Sequence, residues 1–194
     1  MRSFPQFLAT GRHYNPVRQS RVACFSTIAQ RLGRALSSTV EEMMHYFAYG
    51  SNMATRIMHD WGAACTSVGP AQLVGYRLAF TQPSQRWGGG AADVIAADGA
   101  HVWGVLYQID ADSLAALDRK ERLGVAYQHL VCDVLLPDGT PCPALTYTVI
   151  HKADPELCPA PAYKATILEG ALEHHLPQTY IAFLQGLETS LQFR

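Results

Sequence analysis

From residue 45 onward the chain alternates short apolar runs with turn residues, and the period changes from one stretch to the next. His45-Tyr46-Phe47-Ala48-Tyr49 is an apolar run that stops at Gly50-Ser51-Asn52. Residues 46–49 are expected to form a short buried strand, and the helix-compatible residues 53–61 a helix with Asn52 as its N-cap. QLVGYRLAFTQ, residues 72–82, is rich in β-branched, aromatic and aliphatic side chains and reads as a strand. PSQRWGGG, residues 83–90, reads as a loop. Residues 91–97 and 101–109 flank Asp98-Gly99, a pair that signals a hairpin turn.

The period then switches. Leu114, Leu117 and Leu123 recur at near-helical spacing over residues 110–123, with Asp110 or Asp112 able to cap the start. Residues 127–136 and 143–150 form another expected hairpin around Pro137-Asp138-Gly139. Pro159-Ala160-Pro161 interrupts the chain, and residues 163–175 and 177–187 read as two helices, the second with Pro177 in its first turn. The order is strand, helix, several hairpin strands, helix, two strands and two helices, without βαβ alternation. That order predicts an α+β domain built on a largely antiparallel sheet that can close on itself.

Composition leaves this picture intact and divides the chain in two. Of 194 residues, 48% are hydrophobic and 16% charged, as in a globular protein. No apolar run approaches the roughly 18 residues that a membrane-spanning helix needs. The five cysteines are scattered and include no C-x-x-C pair, which favours a reducing compartment over a disulfide or zinc scaffold. Residues 1–40 carry six arginines and no acid, whereas the rest carries nine basic against sixteen acidic residues. Residues 1–42 are therefore expected to be a basic N-terminal extension, disordered or transit-like, and residues 43–190 the folded domain. The acidic domain argues against nucleic acid as a partner. The expected location is cytoplasmic, or organellar if residues 1–42 are a transit peptide.

Several sites are excluded by pattern. No G-x-x-x-x-G-K-[ST] or G-x-G-x-x-G occurs, and Ser51 does not sit in a G-x-S-x-G elbow. His174-His175, adjacent on a helix, point apart, so no metal site is expected there. Three features can carry chemistry. The Gly50-Ser51-Asn52 junction presents backbone N–H groups that suit an anion, although an ordinary capped turn uses the same residues. Arg86-Trp87-Gly88-Gly89-Gly90 permits close backbone approach to a ligand, or is a flexible hairpin loop. Asp118-Arg119-Lys120-Glu121 is either a solvated helix face or the place where Glu121, with Asp118 a turn away, serves as a general base.

Taken in order, YFAYGSNM, WGGGAA, VWGVLY, LDRKE and PAPAYKATILEG followed by LPQTY resemble the γ-glutamylcyclotransferase family over about residues 45–189. The resemblance implies a small mixed, largely antiparallel β-barrel flanked by helices. It implies conversion of a γ-glutamyl amino acid or γ-glutamyl amine to 5-oxoproline, the substrate's α-amine attacking its own γ-carbonyl. Glu121 would be the catalytic carboxylate. Tyr46, Phe47, Ala48, Tyr49, Gly50, Ser51 and Asn52 would form the substrate site with Gly88, Gly89 and Tyr163, the last just before the penultimate helix. No cofactor and no metal are implied. The expected partner is a small-molecule γ-glutamyl substrate and, at most, a second copy of the chain in a homodimer. The chain departs from the family pattern where Gly commonly follows the catalytic Glu, since Arg122 stands there and Gly124 comes later. The alternatives are a non-catalytic binding domain on the same fold and a sister enzyme specific for γ-glutamylamines.

Overall fold

The computed structural model describes residues 43–190, and the expectations for residues 1–42 lie outside them. In chain order come β1 (Met44–Ala48), a 3-10 turn (Ser51–Met53), α1 (Thr55–Asp60), β2 (Cys65–Ser84), β3 (Gly89–Ile109), α2 (Ala111–Glu121), β4 (Tyr127–Leu135), β5 (Pro141–Val149), α3 (Pro161–Glu173) and α4 (Gln178–Gly186). The strands close into a barrel in the order β1-β3-β2-β4-β5. Every pairing is antiparallel except the closing one, where Tyr46 of β1 runs parallel to Leu145 of β5. The seam between β2 and β4 is narrow, one pair between Gln72 and Leu135. The expected small mixed barrel with flanking helices is the architecture present.

The core is the set of inward positions that the apolar runs supply. Phe47, Val94, Val105, Leu106, Tyr107 and Leu117 are wholly shielded, as are Ile167 and Leu184 from the helices. Helix α2 begins where its sequence says, because the Asp110 side chain accepts from the Ser113 amide at 2.7 Å. Pro161 opens α3, where its missing N–H costs nothing.

Two expectations fail. Asp98-Gly99 turns no hairpin. Residues on both sides of it pair with the same strand, Tyr76 with Ala96 and Val74 with His101, so residues 97–100 bulge from one continuous β3. The hairpin between β2 and β3 is made instead by residues 85–88, and β2 itself starts seven residues before Gln72. A glycine-rich dipeptide has the same local chemistry in a bulge as in a turn, and the ladder of a 20-residue partner strand decides between them. Asn52 is not a helix cap either. It lies inside the 3-10 turn, and α1, starting two residues later than expected, has Ala54 at its N-cap with no side-chain hydrogen bond.

The 3-10 turn is pinned from behind. A Cβ at Gly170 of α3 would come within 2.4 Å of the Ala54 nitrogen and the Met53 carbonyl carbon, so only glycine lets α3 lie against the turn. Tyr107, from β3, donates to the Met53 carbonyl at 2.8 Å. His174 Nε2 faces the same phenol oxygen at 2.8 Å and the Thr55 hydroxyl at 3.1 Å. The Ser67 hydroxyl lies 3.1 Å from His174 Nδ1.

Candidate active site

Strand β1 and helix α2 meet where the 3-10 turn begins. Glu121, the last residue of α2, has Oε1 3.0 Å from Asn52 Nδ2, and the same amide nitrogen donates to the Tyr46 hydroxyl at 2.7 Å. An ionised carboxylate only accepts, so the amide NH2 must face it. Asn52 is 5% exposed, and its Oδ1 has no partner among the described residues. Lys120 Nζ also lies 2.6 Å from Glu121 Oε1, with side-chain exposures of 10% and 15%. Both protein donors converge on Oε1, which leaves Oε2 for a ligand. Asp118 stands one turn before Glu121 on α2. It accepts from the Tyr147 hydroxyl and sits against His129 Nε2, each at 2.7 Å.

Tyrosines form the rest of the inner wall. The Tyr163 hydroxyl accepts from the Ala92 amide at 3.0 Å, and a Cβ at Gly50 would come 3.1 Å from its oxygen. Burial pushes the Tyr163 phenol up to about 12, against the opposing pull of the Ala92 and Ser51 amides. Burial likewise holds the Tyr46 phenol well above its ordinary range, with the Glu121 charge adding to it. Both remain neutral at physiological pH. Each accepts from the protein, so each keeps a proton to give to a ligand. Tyr163 is held in place by the Trp87 ring, with centroids 5.0 Å apart. Ser51 and Asn52 open the 3-10 turn, where amides have no acceptor within the turn.

These groups border one cavity of about 460 Å³, the size of a small-molecule site. Of the residues expected at the site, Tyr46, Tyr49, Gly50, Ser51, Asn52, Glu121 and Tyr163 border it. Phe47 and Ala48 do not; they are packed in the core. Gly88 and Gly89 lie outside the lining as well. A Cβ at Gly89 would come 2.7 Å from the Ala160 nitrogen, so its close approach is to the 158–160 segment of the chain. Tyr163 lies within the first turn of α3 and not before it. Sequence reasoning passed over Trp61 and Tyr147 as cavity residues, took Arg86 only as the start of the glycine-rich loop and treated Lys120 as part of a charge run. A lysine beside a candidate catalytic glutamate is a usable signal; nothing local marks Trp61 or Tyr147. A second concavity, between residues 99–103 and α4, contains no carboxylate.

A family described as AIG2-like matches residues 101–184. Bovine γ-glutamylcyclotransferase is 30% identical over 158 residues, which is 79% of this chain and 83% of that protein. The human enzyme of the same name is 31% identical over 76% of this chain and 80% of its own length. A solved γ-glutamyl cyclotransferase structure superposes with a TM-score of 0.75 at 28% identity, covering 79% of this chain and 92% of that one. A human protein solved as uncharacterized superposes at 0.73 with 30% identity, covering 77% and 90%.

Proposed function

Because the chain belongs to the γ-glutamylcyclotransferase family, an enzyme family by the activity its members are named for, we propose that it converts a γ-glutamyl amino acid or γ-glutamyl amine to 5-oxoproline and a free amine, with Glu121 as general acid and base. The observation that carries this reading is the hydrogen bond of Glu121 to Asn52, which sets a carboxylate against the Gly-Ser-Asn turn inside the cavity.

The substrate's α-ammonium enters beside Glu121 Oε2. Glu121 takes one proton. The freed amine attacks the γ-carbonyl carbon within the same molecule, so no nucleophile from the protein is required. Folding the substrate into that shape is itself a large part of the rate enhancement. Negative charge develops on the carbonyl oxygen, and the Ser51 and Asn52 amides with the Tyr163 phenol are donors suited to it. Glu121 returns its proton to the departing nitrogen as the carbon–nitrogen bond breaks, and the second proton of the cyclised nitrogen passes to the released amine, which leaves neutral lactam 5-oxoproline and an ammonium.

The test is incubation of the purified protein with a panel of γ-glutamyl amino acids and γ-glutamyl amines. The expected product is 5-oxoproline from at least one of them. Free glutamate in its place would indicate a hydrolase. No product from any member would leave the non-catalytic binding domain as the reading.

A further inference from the structure

We propose that Arg86 reads a negative charge on the leaving amine and so sets which γ-glutamyl compounds are turned over. The inference rests on the activity proposed above and concerns the half of the substrate that is released.

The cavity has a direction. Tyr46, Tyr49, Asn52 and Tyr163 are buried and close its inner end, where Glu121 meets the α-amine. Arg86 and Trp61 are exposed and stand at its mouth. Cyclisation requires the α-amine and γ-carbonyl to fold together against Glu121, so the leaving amine extends toward that mouth.

Arg86 is held there as a preformed anion receptor. Its guanidinium carbon lies 5.2 Å from the Trp61 ring centroid and 5.4 Å from that of Trp87, distances at which an aromatic face attracts a cation. Trp87 in turn packs on Tyr163, linking the receptor to the inner wall. The supporting turn is closed by the Gly88 amide donating to the Ser84 carbonyl at 2.9 Å. Arg56 and Arg77 each hold a glutamate. Arg86 has no acidic partner among the described residues, so its planar set of donors remains available for a carboxylate.

Charge around the cavity points the same way. Arg86, Lys120 and Arg122 border it, with Glu121 as the acidic residue among the lining groups. Lys120 is paired with Glu121. The surplus positive charge suits a substrate with a carboxylate on each half.

γ-Glutamyl-alanine and γ-glutamyl-ethylamide differ only by the carboxylate on the leaving amine, which makes them the matched probes. For the wild-type protein, kcat/KM is expected to be higher with γ-glutamyl-alanine. Arg86→Gln is expected to lower kcat/KM for γ-glutamyl-alanine by about 10- to 100-fold, chiefly through KM, the loss expected for one charge-assisted contact. The preference over the ethylamide collapses with it, and Arg86→Lys restores part of it. As a check that requires no variant, added salt should depress turnover of γ-glutamyl-alanine by the wild-type protein more than turnover of the ethylamide. Equal losses on both substrates, or no loss on either, would overturn the assignment of Arg86 while leaving the proposed activity standing. Release of 5-oxoproline from neither probe nor any panel member would remove the activity and the inference together.

Discussion

Asn52 Nδ2 lies 3.0 Å from Glu121 Oε1 and joins two residues 69 positions apart in the chain. One end of this contact is a turn pinned by Gly170 and Tyr107, and the other is the last residue of a helix capped at both ends. The carboxylate is therefore oriented by rigid neighbours, which is what precise proton transfer demands.

Replacing Asn52 by Ala removes that orientation and strands the buried Tyr46 hydroxyl without its donor. The expected loss in kcat/KM is about 10- to 100-fold, equivalent to one hydrogen bond to a charged group. Steady-state kinetics with 5-oxoproline as the readout measure it. A variant with wild-type kcat/KM would show that Glu121 is positioned without Asn52.

Glu121→Gln keeps the shape of the side chain and its contact with Lys120 but cannot accept a proton. Turnover is expected to fall by about 10²- to 10⁴-fold, while substrate still binds by calorimetry. Release of 5-oxoproline at the wild-type rate would reassign the general base to another group.

Arg122 closes α2 with φ of 54°, in the left-handed region that side chains avoid. The same position commonly holds Gly in the family that the sequence resembles, so the departure noted in the sequence is a local strain in the structure. Arg122→Gly should raise stability by about 0.5–1 kcal/mol, the relief being offset in part by the extra freedom of Gly in the unfolded chain. Chemical denaturation tests this; unchanged stability would mean that Arg122 makes compensating contacts.

His174 gives stability a pH dependence. Burial lowers its pKa below the ordinary value, with the neighbouring Glu173 charge opposing the shift. A group whose folded pKa is depressed favours folding fully above its unfolded pKa, about 6.5 for histidine. Between the two values the unfolded chain binds more protons, so this contribution declines as pH falls below about 6.5. The melting temperature should therefore drop from pH 7 toward pH 5, and His174→Gln should flatten that slope. An unchanged slope in the variant would place the dependence elsewhere.

What was legible in the sequence was local. The Asp110 cap, the hairpin of β4 and β5 and the helices after Pro159 all follow from signals within a few residues of one another. Legible too were the Gly-Ser-Asn turn and Glu121 as separate candidates. The role of Asn52 was not, because an N-cap and a hydrogen bond to a distant carboxylate require the same side chain. Gly89 posed the same ambiguity: small residues permit close approach, and only the fold shows that the approaching group is the 158–160 segment.

The amino-acid sequence by itself determined the α+β order of elements, the turn after β1 and the carboxylate at the end of α2. These depend on backbone preferences and periodicity that act over one or two turns. Only the tertiary structure decided that β3 continues past Asp98-Gly99 through a bulge, because pairing with a 20-residue β2 outweighs the preference of two residues. The tertiary fold likewise brought Asn52, Arg86 and Tyr163 around the same cavity as Glu121. The longest of those meetings with Glu121 joins residues 69 positions apart, and their geometry comes from how strands register and helices pack.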